Sequence, residues 1–202
     1  MLFAKFEPMR LIRRPEPFDH PEWIFELKLD GFRALAYLEN GGGYFISRNR
    51  NTFASFRNLA AEVAANFRGA DGVVDGEIVS LDAKGYPRFE DLMFRRGELF
   101  FVAFDVLWLD GEDLRGLSLL ERKRRLRRVV PRRKTSRLRY LDHIEGHGCA
   151  LFRLACEKDL EGIVAKHRGG SYDPKRAVWI KIKNAAYSQA EGREELFEEL
   201  RG

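Results

Sequence analysis

FELKLDGFR, residues 25–33, sets a lysine, a carboxylate and an arginine around a glycine at the end of an apolar run. Side chains alternate faces along a strand, so Lys28 and Asp30 are expected on one face, with Leu27 and Leu29 directed into the core. Gly31 then lets the backbone turn, and Arg33 can swing back toward the same pocket. A lysine held in this way can attack phosphorus. Alone, the motif reads more readily as a solvated strand, because lysines mostly stay in water. Three constellations downstream decide between the two.

The first is VVDGEIVSL, residues 73–81, where Asp75 and Glu77 share one face of an otherwise apolar strand. Such a pair is costly unless a cation, a metal or a sugar hydroxyl meets it. The second is LEGIVAK, residues 160–166, which puts Glu161 beside a glycine at the mouth of another apolar strand. The third is VWIKIK, residues 178–183. There Trp179, Lys181 and Lys183 take one face, and Val178, Ile180 and Ile182 the other.

These motifs, in this order and spacing, resemble those of the covalent nucleotidyltransferases, and most closely the bacterial ATP-dependent DNA ligases. The resemblance runs from about Met9 through Lys183. Ser47-Arg48-Asn49 is similar to the family's arginine-bearing motif, FVAFDVLWLDG at 101–111 to its aromatic-aspartate strand, and NAAYSQAEGR at 184–193 to ligase sequence beyond the paired lysines.

The chain has 202 residues, long enough for a real core, and 45% hydrophobic content argues against disorder. No apolar run approaches the roughly 20 residues of a membrane span, and the N-terminus lacks the apolar core of a signal peptide. A cytosolic protein is expected, with no membrane partner. Cys149 and Cys156 sit seven apart, a helical-face spacing that suggests buried free thiols. His143, His147 and Cys149 lack a fourth ligand at the spacing zinc favours.

Net charge is +5, but Arg122 to Arg139 alone holds 11 Lys or Arg and no acid, so the basicity is one patch. Ser118 and Glu121 form a capping box for a helix at 119–130 with Leu119, Leu126 and Val130 as its apolar stripe. The patch reads either as a solvated helix or as a footprint for nucleic-acid phosphates.

Residues 1–21 are proline-punctuated and are expected to wrap the domain edge. Strands are predicted at 23–29, 33–39, 44–47, 72–82, 99–109, 138–141, 163–167 and 178–182, with helices at 56–67, 119–130 and about 150–158. A short acidic helix is predicted at 191–200. Strand runs with few helices between them indicate α+β. The resemblance implies a two-sheet, ATP-grasp-like nucleotidyltransferase domain spanning 1–202, with the nucleotide between the sheets and 184–202 as a helical tail.

The resemblance also implies the chemistry. Lys28 attacks the α-phosphorus of ATP, pyrophosphate leaves, and AMP stays on the lysine. At a reference pKa near 10.4 about one lysine in 2,500 is neutral at pH 7, so about 4–5 kcal/mol of perturbation is required. Burial and a divalent metal push that way, whereas Asp30 pushes the other. Glu77 and Glu161 are implied as ligands of Mg²⁺ or Mn²⁺, supported by Asp75. Lys181 and Lys183 hold the α-phosphate, Arg33 and Arg48 reach the ribose or phosphates, and Asp30 joins the nucleotide contacts. Phe104 is implied to stack on adenine, with Phe101 as a rival, and Glu26 to accept from the adenine amino group, favouring ATP over GTP.

Family DNA ligases continue into an OB domain, whose five strands do not fit in residues 184–202. A domain without an OB fold is therefore expected, and no R-x-D-K motif occurs. Implied partners are nicked duplex DNA in repair or end joining, with a separate OB-fold or end-joining protein, and a nucleoid-associated location. An RNA ligase is the rival enzyme. A non-catalytic nucleic-acid-binding module is the rival of another class, which the full set of catalytic residues argues against.

Overall fold

The computed structural model of the protein describes residues 6–69, 71–176 and 178–190. The helix expected at 191–200 lies outside them. Eleven strands are described: β1 (Arg10–Arg13), β2 (His20–Leu27), β3 (Phe32–Glu39), β4 (Gly42–Ser47), β5 (Gly72–Leu81), β6 (Glu98–Leu109), β7 (Glu112–Asp113), β8 (Leu138–Tyr140), β9 (Ile144–Gly146), β10 (Gly162–His167) and β11 (Val178–Lys183). Four α-helices join them: α1 (Arg57–Asn66), α2 (Phe89–Met93), α3 (Leu119–Val129) and α4 (Gly148–Glu157).

The strands form two sheets, one ordered β1-β11-β10-β2-β9 and the other β4-β3-β5-β6-β7, with β8 pairing β6. The two sheets face each other across a shared core. Leu35, Tyr37, Val73, Phe104 and Leu107 from the second sheet meet Val164 and Trp179 from the first. Helices α1 and α3 cover the outer face of the second sheet, where Leu59, Val63, Leu126 and Val129 pack on Val74, Ile78 and Phe101. Helix α4 covers the outer face of the first, with Ala155 against Phe25, Ile163 and Ile182. The α+β reading holds.

Several local expectations change. Residues 6–14 do more than skirt an edge: β1 pairs in parallel with β11, from Arg10 opposite Val178 to Arg13 opposite Lys181. The strand itself, Arg10–Arg13, contains no proline, so its amides remain available to the ladder. The three-residue β9 and the five-residue α2 are too short to show a period. The cysteines are free but not buried: Cys149 is half-buried and Cys156 exposed, because the buried side of α4 is carried by Gly148 and Ala155. Gly31 has no unusual torsion; it is required because a Cβ there would lie 2.2 Å from the Ile78 carbonyl oxygen.

Helix α3 starts as the capping box predicts, with Ser118 Oγ accepting from Glu121 N at 3.3 Å. Its buried stripe, however, includes two cations. Arg122 and Lys123 are each 1% exposed, because positions 122 and 123 lie three and four residues after Leu119 and so share its face.

Candidate active site

Between the sheets lies a cavity of about 880 Å³, a size suited to a nucleotide. Its walls come from β2 and the following turn, from β5 and β6, from the Ser47–Arg50 loop, and from β10 and β11. Lys28 lines it just past the end of β2, where its amide donates to Gly162 O at 2.9 Å. Lys28 Nζ lies 2.6 Å from Glu161 Oε2, and Lys183 Nζ is 3.2 Å from the other oxygen, Oε1. Glu161 can stand there because Gly162, at φ +138°, brings β10 against β11; a Cβ at that glycine would sit 2.1 Å from Ile182 O.

Alternation along β11 proceeds as expected: Trp179 and Lys181 face the cavity, while Ile180 and Ile182 pack toward α4. Lys181 is held below the usual lysine range, first by burial and then by the Lys183 and Lys28 charges. Arg48 is exposed at the cavity rim. Lysines 28 and 181 with Arg48 thus make one end of the cleft cationic, while Lys183, paired with Glu161, does not itself line the cavity.

On β5 the two carboxylates part company. Glu77 lines the cavity with no ion pair among the described residues, and burial within the cleft raises its pKa to about 8 despite Lys28 and Arg33. Asp75 is fully buried and taken up by Arg33, with Nε to Oδ1 at 3.1 Å and Nη2 to Oδ2 at 2.7 Å, while Tyr172 OH donates to Oδ2 at 2.6 Å. Its expected place beside a metal is therefore corrected: its oxygens hold the arginine. Burial opposes the Arg33 charge, but Asp75 overcomes that and keeps it charged. Arg33 Nη1 also donates to Met9 O at 2.8 Å, so the arginine reaches the cavity wall already anchored.

Asp30 is likewise corrected. It is 4% exposed, accepts from Tyr187 OH at 2.9 Å and does not line the cavity, whereas Leu27 and Leu29 do. The strand ends at Leu27, and strict alternation ends with it.

On β6 the two phenylalanines take opposite faces. Phe104 faces the cavity and meets Trp179 edge-on at 5.7 Å, while Phe101 lies on the opposite face against Phe45 at 5.0 Å. Glu26 lines the inner end, 1% exposed, with Lys123 Nζ 2.5 Å from Oε1 and Lys166 Nζ 2.5 Å from Oε2. Burial would raise its pKa, but the two lysines bring it below the ordinary carboxylate value. Lys166 Nζ is out of line for a hydrogen bond and rests 3.8 Å from the Trp179 centroid and 4.3 Å from the Phe104 centroid. Burial lowers its pKa, and Glu26 restores it only in part.

Sequence reasoning missed Lys123, Lys166 and Tyr172. For Lys166 a signal existed, since it follows Val164 by two residues on the face that looks inward.

Together these features define a nucleotide cleft with a lysine at its cationic end. The ATP dependent DNA ligase domain family model matches residues 7–183. The multifunctional non-homologous end joining protein LigD of Pseudomonas aeruginosa is 34% identical over 168 residues, covering 80% of this chain and 20% of that protein. The SPbeta prophage-derived DNA ligase-like protein LigB of Bacillus subtilis is 31% identical over 200 residues, covering 90% of this chain and 68% of that protein. A solved structure of mycobacterial DNA ligase D complexed with ATP and MES superposes with a TM-score of 0.73 at 29% identity, over 88% of this chain and 60% of that one. The chain thus spans about a fifth of the LigD relatives it matches. Its fold is that of the ligase nucleotidyltransferases. The chain belongs to the ATP-dependent DNA ligase domain family.

Proposed function

We propose that this protein adenylates its own Lys28 with ATP and passes the AMP to a 5′-phosphate at a nick in duplex DNA, in repair or end joining. The observation that carries the reading is Lys28 Nζ set in the wall of the cavity, 2.6 Å from Glu161 and beside Lys181. In the first step the Nζ–Pα bond forms as the bond from Pα to the pyrophosphate oxygen breaks, and the ammonium proton must leave beforehand. Glu161 lies within reach of that proton. Lys181, Lys183 and Arg48 offer fixed positive charge where charge develops on the phosphates. Phe104 and Trp179 supply an apolar wall for the base, and Glu26 an acceptor for its exocyclic amino group.

Glu77 and Glu161 suit a divalent cation. Glu77 makes no ion pair among the described residues and carries a burial penalty that a cation would relieve, and magnesium commonly takes one or two carboxylates with phosphate and water as its other ligands. Among the described residues no group of three His, Cys, Asp or Glu stands ready to hold a metal. A bound Mg²⁺ or Mn²⁺ would supply positive charge beside the α-phosphate.

The names of the LigD relatives support end joining as the setting; nicked DNA as substrate and an OB-fold or end-joining protein as partner are part of the proposal. The test is incubation with α-labelled ATP and Mg²⁺, followed by denaturation. Acid-labile label on the parent and none on Lys28→Ala is expected; equal labelling of both would overturn the assignment. Sealing assays on nicked DNA and nicked RNA side by side then fix the polynucleotide, and preferential joining of RNA would overturn the DNA reading.

A further inference from the structure

Lys123 stands outside the cleft, yet each of its bonds ends on a residue that lines it. Its Nζ donates to Glu26 Oε1, to Phe104 O at 3.3 Å and to Leu141 O at 3.1 Å, which uses all three N–H bonds of an ammonium. Glu26, Phe104 and Leu141 all border the cavity and come from three separate parts of the chain: β2, β6 and the segment after β8. Lys123 itself is 1% exposed on the inner face of α3 and does not line the cavity. With Lys166 and Glu26 it makes a buried group of two cations and one anion. A buried surplus cation is expensive for a structural purpose alone, since an apolar residue of the same size would fill the space without the desolvation cost.

We infer that Lys123 is a positioning residue for base selection, fixing the Glu26 carboxylate and the Phe104 backbone so that the cleft accepts adenine over guanine. A carboxylate has about four lone-pair sites; Lys123 bonds one and Lys166 lies against the other oxygen, so acceptor capacity remains for a ligand's amino group. Guanine presents a carbonyl oxygen at that position and meets a carboxylate with like polarity. Selection then depends on Glu26 staying ionised and unable to turn away. Lys123 secures both from the far side of the wall. This inference rests on the reading of the cavity as an ATP site.

The test is calorimetric binding of ATP and of GTP to the whole chain, comparing the parent, Lys123→Met, Glu26→Gln and the double variant, with thermal melting alongside. Lys123→Met is expected to weaken ATP binding at least tenfold and to narrow the ATP-to-GTP ratio, and Lys123→Arg, which keeps the charge, to recover part of that ratio. The double variant is expected to be no worse than Glu26→Gln, because both act through one carboxylate. A folded Lys123→Met with a lower melting temperature and an unchanged ATP-to-GTP ratio would overturn the inference, as would additive losses. Should Lys123→Met not fold, an unchanged ratio in Glu26→Gln overturns it equally. A parent that binds neither nucleotide breaks the ATP-site reading itself, a different failure.

Discussion

Two sets of ionic groups stand about one β-strand apart and behave oppositely. Behind the cavity wall, Arg122 meets Asp105 through Nε at 2.8 Å and Nη2 at 2.9 Å, and its Nη1 donates to Leu117 O at 2.6 Å and Gly170 O at 3.0 Å. Facing the cavity, Glu77 makes no ion pair among the described residues, though Lys28 and Arg33 lie near enough to act on it, and Lys28 is 20% exposed beside Glu161. The first set is closed, with its hydrogen-bonding capacity used within the protein. The second is open, with charge left for something to bind. In these two sets the fully partnered charges lie behind the cavity wall, and those left short of partners face the cavity.

The largest expected effects test that division directly. Lys28→Ala should abolish covalent labelling while leaving stability within about 0.5 kcal/mol of the parent, because an open group contributes little packing. Arg122→Met should do the converse: a loss of about 3–5 kcal/mol in urea denaturation, since Asp105 stays buried without its cation, with labelling per folded molecule preserved. If Lys28→Ala proves the more destabilising of the two, the division fails.

Glu77 sharpens the comparison through pH. Its carboxyl keeps a proton up to about pH 8 in the folded protein, against 4.5 for the ordinary group. The native state therefore binds more protons than the unfolded chain in that window, and stability should fall as pH rises from about 4.5 to 8. Glu77→Gln should flatten that fall, by on the order of 1–2 kcal/mol given the water in the cleft. Added Mg²⁺ should flatten it in the parent only. Melting curves across the window decide, and an equal slope in parent and variant would return Glu77 to the closed set.

The smallest effect concerns the outer side of α3. Arg68, Arg124, Arg127, Arg128 and Arg132 line a shallow concavity of about 490 Å³, whereas Arg122 and Lys123 from the same basic run are spent inside. If about four phosphates are contacted, the log of duplex affinity should fall against log salt with a slope near −3.6, and reversing four of these arginines should flatten it without changing labelling. A mutant slope equal to the parent's leaves the patch a solvated surface.

That same helix shows what sequence reading can and cannot reach. Its cap, length and apolar stripe are legible because each follows from local spacing, and β11 is legible because six residues of strict alternation fix both faces. The fate of Arg122 and Lys123 is hidden, since whether a cation on the stripe is buried depends on Asp105 and Glu26, which lie 17 and 97 residues away. Asp30 fails for a related reason: alternation predicts its face only while the strand lasts, and the backbone leaves β2 after Leu27. Asp75 and Glu77 share a strand face, yet only tertiary placement of Arg33 and Tyr172 separates a structural carboxylate from an available one.

The pairing of β1 with β11 bears on how the chain acquires its shape during synthesis. Strands β3 to β6 are consecutive, from residue 32 to 109, and can assemble as soon as that stretch is made. The other sheet cannot, because its order interleaves β1 and β2 with β9, β10 and β11, the last of which ends at Lys183. Non-local strand pairing is slow, and domains tend to fold as they emerge. Lys28 is made early but gains Glu161 and Lys183 as neighbours only when the far end of the domain arrives. A nascent chain stalled short of β11 would therefore carry Lys28 without the completed cleft around it.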